Sequence, residues 1–143
     1  MDVKSLLIAC REAGLEFRRL NEEYRDGHLE ILAAGGIDGM PHAKGPKTSS
    51  VEQIAVSLAE LSCKVHSAED RYAKLCKEVM PLILLCEDRR VQAMITARFV
   101  YCLSWSGAAH EAGYSDRCNA IRDTWKGVEL IGQKIDEVSR ENP

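Results

Sequence analysis

The chain has 143 residues, 45% of them hydrophobic and 29% charged. That is enough apolar material for one packed domain and too much for wholesale disorder. Aromatics at 6%, with ten Gly and four Pro, supply too few turn-makers for a sandwich or barrel of many short strands. Nineteen Lys and Arg against 22 Asp and Glu leave a formal charge of −3, which excludes a polycation. No window approaches the ~18 apolar residues that span a bilayer, so no membrane partner is expected.

Six cysteines, Cys10, Cys63, Cys76, Cys86, Cys102 and Cys118, are scattered singly without a CxxC pair. The N-terminus, MDVKSLLIACREAGLEF, carries charges where a secretory apolar stretch runs uninterrupted. Both features predict a cytoplasmic protein whose thiols act as small hydrophobes.

Two long stretches have apolar residues in alternating steps of three and four. The first reads Val3, Leu6, Cys10, Ala13, Phe17, Leu20, Tyr24, Gly27, Ile31. Asp2 is its expected N-cap, Gly35-Gly36 its stop, and Gly27 the point where fraying or a kink is expected. The second reads Val51, Ile54, Leu58, Leu61, Val65, Ala68, Tyr72, Leu75, Val79, Leu82. Its opening Ser50-Val51-Glu52-Gln53 fits a capping box, and Pro81 predicts a kink or break near Met80. Each run makes about 30 residues of helix, or roughly 45 Å. Between them GGIDGMPHAKGPKTSS is a linker by composition. Residues 1–80 are therefore expected to form a long antiparallel helical hairpin with a loop over 35–50, serving assembly or interaction. Leu7, Leu32, Ile83 and Leu84 flank the seams without partners in a two-helix hairpin, which predicts a homodimer through the N-terminal helices.

The last third changes character. Asp88 is positioned to cap a helix Arg89–Cys102 with Val91, Ile95, Phe99 and Cys102 on one face. A break follows at Leu103-Ser104, then a short helix Trp105–Ala112, Gly113, and Ser115 as N-cap of a last helix. That helix carries Cys118, Ile121, Trp125 and Val128 within one arc. Residues 133–143 read as a polar tail that frays. No strand pattern appears, so the expected class is all α.

A helix, a glycine turn and a capped second helix outline a helix-turn-helix over 81–132. Ala109 lies four residues before Gly113, where a small side chain lets two helices approach. Ile83-Leu-Leu-Cys-Glu, Ala97-Arg98-Phe99-Val100, Leu103-Ser104-Trp105 and Ala112-Gly113-Tyr114-Ser115-Asp116-Arg117 carry a further signal. Together they resemble the sigma-factor region 4 type of helix-turn-helix found in phage and prophage late-transcription regulators of the ArpU/RinA type. Gly39-Met40-Pro41 matches a turn of that family in the helical part before the module. Two positions depart from the pattern: Ala108-Ala109 replaces Ile-Ala, and Asn119 stands four residues after Ser115 where an apolar residue is usual. The resemblance implies a DNA-binding regulator that recruits host RNA polymerase.

Residues 88–126 hold six basic side chains, Arg89, Arg90, Arg98, Arg117, Arg122 and Lys126, against four acidic ones, Asp88, Glu111, Asp116 and Asp123. On the last helix Asn119, Arg122 and Lys126 fall within about 60° of one another, opposite Ile121 and Trp125. With Ser115 and Arg117 they form the candidate reading face for double-stranded DNA, Arg suiting guanine edges and Lys phosphates. The competing expectation is a helical protein–protein interaction module that has lost DNA binding, favoured by the net acidity.

Other chemistry finds little support. Gly39 and Gly45 lack the spacing and the preceding strand of a phosphate loop. Cys63 and His66 stand three apart on a helix without a second pair nearby, and His28, His42 and His110 are isolated, so no metal or cofactor is expected. No carboxylate pair or activated nucleophile marks an enzyme.

Overall fold

In the computed structural model, residues 2–36 and 47–141 are described, with side chains from 2–30 and 52–141. The chain is all α: among the described residues there are helices and connections but no strands. Helix α1 is Val3–Gly36, α2 Lys47–Ile83, α3 Arg89–Ile95, α4 Trp105–Glu111 and α5 Arg117–Glu141, with a π-helical segment Thr96–Val100 directly after α3. No helix among the described residues is long and apolar enough to cross a membrane. The expected turn at Gly39-Met40-Pro41 lies outside the described residues, as do the side chains of Ile31, Leu32 and Val51.

The chain divides into two compact units. The smaller, residues 16–70, contains the end of α1 and the start of α2. Their seams meet as the 3-4 spacing predicts: Leu20, Val65 and Ala68 are buried, with Phe17, Tyr24 and Leu61 packed against them. Gly27 does not kink the helix, which continues to Gly36. A Cβ there would lie 2.6 Å from Leu58 Cδ2 of α2, so the missing side chain serves a close helix approach instead. The expected capping box is also displaced. Helix α2 is already formed from Lys47, which puts Ser50 inside the helix.

The larger unit, residues 1–15 and 71–143, combines the start of α1, the end of α2 and everything after it. Its core joins Val3, Leu7 and Cys10 of α1 to Val79 and Ile83 of α2, with Val91, Ile95 and Phe99, Val100 of the π segment, and Val128 and Ile131 of α5. Leu7 and Ile83 are thus covered by the chain's own helices, and of the flanks invoked for a dimer Leu84 is the one described that stays open, at 68% exposure. Pro81 does not break α2 near Met80, because the turn is held from both sides by buried Val79 and Ile83. The helix ends two residues later, where the Leu84 amide bonds the Met80 carbonyl and the Leu85 amide that of Leu82.

Asp88 caps α3 as expected, its side chain accepting from the amides of Arg90 and Val91. The helix does not run on to Cys102 as a regular α-helix. The Thr96 hydroxyl donates to the Gln92 carbonyl, and the Tyr101 amide reaches back five residues to Thr96. This widening still buries Val91, Ile95, Phe99 and Cys102, the four residues read as one face. The residue after Tyr101, Cys102, takes φ +60, a left-handed conformation rare for a residue with a Cβ. Helix α5 does not fray at Gln133. Ile131 is buried and Ile135 packs against the core, while Lys134 bonds the Leu85 carbonyl and Glu87, extending the helix to Glu141.

Helices α3 and α5 approach at Gly127, which is buried and faces Val91; a Cβ there would overlap the Val91 Cγ1 methyl. Gly127→Ala should therefore be destabilising by about 1 kcal/mol in chemical denaturation, because overpacking against a stiff β-branched residue outweighs the gain in helix propensity. An increase in stability would contradict this packing.

Candidate nucleic-acid interface

Helices α3, α4 and α5 enclose a second cluster built from small side chains. Met94, Ala97, Ala108, Ala109 and Ala120 are buried together, with Leu103, Trp105, Ala112 and Tyr114 packed against them. Alanines at these positions let α4 lie close to both neighbours. Ser104 caps α4, its hydroxyl accepting from the Gly107 amide at 3.0 Å. At the other end Gly113 takes φ +82, which carries the chain away from α4 into the turn. The Tyr114 amide closes that turn on the Ala109 carbonyl at 2.8 Å.

The expected cap of α5 requires correction. Asp116, not Ser115, holds the helix start: its Oδ1 accepts from the Cys118 amide at 2.9 Å, and its carbonyl accepts from the Ala120 amide. The shift of one residue has a direct consequence for the register. Four residues after Asp116 stands Ala120, fully buried, so the small apolar position that seemed missing at Asn119 is present one residue later.

The inner face of α5 is also not the predicted arc. It is Ala120, Thr124, Gly127, Val128 and Ile131, whereas Cys118 is exposed and Ile121 and Trp125 are half-buried at the flank. Thr124 satisfies its hydroxyl on the Ala120 carbonyl at 2.7 Å, which permits its complete burial. Trp125 joins Phe99 and Trp105 in three edge-on ring contacts with centroids 5.7 to 6.2 Å apart, and Lys4 of α1 covers its ring.

All five predicted reading residues, Ser115, Arg117, Asn119, Arg122 and Lys126, are exposed. Ser115 lies in the turn and the other four on α5. At 100° per residue, Asn119, Arg122 and Lys126 project on the side away from Ala120, Thr124 and Ile131. Arg122 Nη2 donates to Asn119 Oδ1 at 2.6 Å, so these two act as one preorganised pair.

Two of the six basic side chains counted in the sequence have other work. The Arg90 guanidinium lies 3.8 Å from the centroid of the Tyr114 ring and donates to the Gly113 carbonyl. Tyr114 in turn donates to Asp123 at 3.2 Å, and burial followed by this bond pushes its hydroxyl pKa up. Arg98 stacks on Trp105 and donates to the Leu103 carbonyl. Burial, then the like charge of Arg11, lowers the Arg98 pKa without removing its charge. Arg89, Arg117, Arg122 and Lys126 are exposed, as is Arg90 on its ring, whereas Arg98 is half-buried. The roles of Arg90 and Tyr114 were not anticipated from sequence, because their pairing joins residues 24 apart with no local pattern. Elsewhere, His66 lies 4.0 Å from Glu69, and among the described residues no group of three ligand side chains is placed to hold a metal.

The chain matches no family model, and comparison with curated proteins and with solved structures finds no match.

The cap register is testable by itself. Asp116→Ala should cost about 1 kcal/mol in thermal or chemical unfolding, the usual loss for an N-cap, whereas Ser115→Ala should stay within about 0.5 kcal/mol of the parent. The reverse order would restore Ser115 as the cap.

Proposed function

We propose that the protein binds double-stranded DNA through α4, the Gly113 turn and α5, as a transcription regulator of the phage type that the sequence resembles. The observation that carries this reading is the register of α5. With Asp116 as cap and Ala120 buried against α4, the side chains Asn119, Arg122 and Lys126 fall on the solvent side of a helix whose N-terminal half is braced, and Arg117 is exposed in its first turn. A helix presented this way fits the major groove. Arg122 addresses the O6 and N7 edge of guanine, with Asn119 fixing its fork, and Lys126 and Arg117 address phosphates. Ser115 contributes a further hydroxyl at the turn. Recruitment of RNA polymerase through another surface, and pairing of two copies on a symmetric site, complete the proposed mechanism.

A non-enzymatic interaction module is the second reading, and one observation favours it. The exposed Arg90 and the half-buried Arg98 are engaged by Tyr114 and Trp105, leaving four other exposed cations in this module of a chain whose net charge is −3.

Genomic fragments captured by the purified protein and sequenced decide between the two. For an enriched fragment, Arg122→Ala should preserve helicity and weaken specific binding by about 1–3 kcal/mol. Lys126→Ala should weaken all sequences alike and lower the salt slope by about one. Trp125→Ala should instead lower stability by about 3 kcal/mol through lost packing. No affinity for any fragment at about 50 mM salt, where phosphate contacts are strong, would leave the interaction module in place.

A further inference from the structure

The core of the larger unit contains a group of sulfur atoms that DNA binding does not use. Cys10 on α1 and Cys76 on α2 face each other with Sγ atoms 3.8 Å apart, 66 residues apart in sequence. Both are free thiols; Cys10 is fully buried and Cys76 half-buried. Cys102, in its left-handed conformation, lies beside them, its Sγ directed to the Arg11 and Val100 carbonyls, and Tyr72 completes the surroundings. The remaining thiols differ. Cys63 and Cys118 are exposed, and Cys86 bonds the Asp88 carbonyl.

We propose that Cys10 and Cys76 are a redox-modifiable pair, closing to an intramolecular disulfide when the protein meets a hydroperoxide. A disulfide needs sulfur atoms at about 2.05 Å, so the two sulfurs must approach by less than the width of an atom. Cys76 has the partial exposure that the oxidant requires. Its thiolate sulfur attacks one peroxide oxygen, the O–O bond breaks, and the departing oxygen takes up a proton as water or alcohol. Cys76 is left as a sulfenic acid. The Cys10 sulfur then attacks the Cys76 sulfur, the S–O bond breaks, and water leaves with the Cys10 proton. Two thiols give up two electrons and two protons, and one peroxide is reduced.

The surroundings set the pace and the selectivity. Burial, then neighbouring Cys76 and Cys102, pushes the Cys10 pKa to about 12, so Cys10 is protonated at neutral pH and does not react first. It enters only after Cys76 has been oxidised beside it. The bond would clamp the first turns of α1 to the end of α2 and close a 66-residue separation, favouring the folded state. This proposal stands independently of DNA binding.

The test uses the full chain in a Cys63→Ser/Cys118→Ser background, which removes the exposed thiols. After hydrogen peroxide treatment, free thiols are alkylated under denaturing conditions and the protein is digested without reduction. A linked peptide pair containing Cys10 and Cys76 is expected, with the protein lighter by two hydrogens. The thermal midpoint should rise on oxidation and return with dithiothreitol, and Cys76→Ala should abolish both changes. The same linked peptide sought in the parent chain keeps the test independent of how the variants fold. Recovery of Cys10 and Cys76 both alkylated, oxidation of Cys76 only to sulfinic acid, or a bridge from either to Cys102 or Cys86 would overturn the proposal.

Discussion

When α3 unwinds into the π segment, it releases backbone carbonyls inside the protein, and those carbonyls have to be bonded. Arg11 of α1 donates to the carbonyls of Arg98 and Leu103, Arg98 also reaches Leu103, and Tyr72 of α2 donates to Val100. A buried carbonyl left without a donor costs about 1–3 kcal/mol, so this arrangement ties α1, α2 and the π segment together beside the apolar core. It also fixes the left-handed Cys102, which redirects the chain so that Ser104 can cap α4. Everything downstream inherits its position from there. A fragment cut away from residues before 81 would lose Arg11 and Tyr72, and with them the closure of the segment on which α4 is built.

The periodic parts of the fold were legible from sequence because burial follows helical spacing. Val3, Cys10, Ala13, Leu20, Val65, Ala68 and Val79 all lie inward as the steps of three and four require. The cap of α3 was legible where a good capping residue stood directly before the helix, at Asp88; at Ser104 only the break was legible, and the cap is the structure's addition. At Ser115-Asp116 two good caps are adjacent, and spacing alone cannot choose between them; the choice is made by which register buries Ala120. The π segment left no readable mark, since its cause is a set of donors from Arg11 and Tyr72, far away in the chain. Pro81 misled for a related reason: the rule for an isolated helix ignores the packing of Val79 and Ile83 on either side.

The exposure of Asn119, Arg122 and Lys126 on one side of α5 was visible as a pattern of residue types, but the electrostatics around them was not. Counting charges between 88 and 126 treats every arginine as equally available. In the structure Arg90 is laid against Tyr114 and Arg98 against Trp105, so two of the five local arginines shape the turn and the aromatic cluster. The Arg90 brace reaches α5 through the bond from Tyr114 to Asp123.

The division into units has a consequence for how the chain can vary. Residues 16–70 interrupt the larger unit as a single excursion, leaving through α1 and returning through α2. A change of length confined to that excursion touches none of Val3, Leu7, Cys10, Val79 or Ile83. Seven residues added to or removed from each helix would bring the seam back to nearly the same face, with a drift of about 20° per step. Eleven residues do the same with a drift of the opposite hand, whereas steps such as five or nine would carry the seam to another face. The excursion can therefore grow or shrink by whole repeats while the helix that carries Arg122 and Lys126 keeps its form.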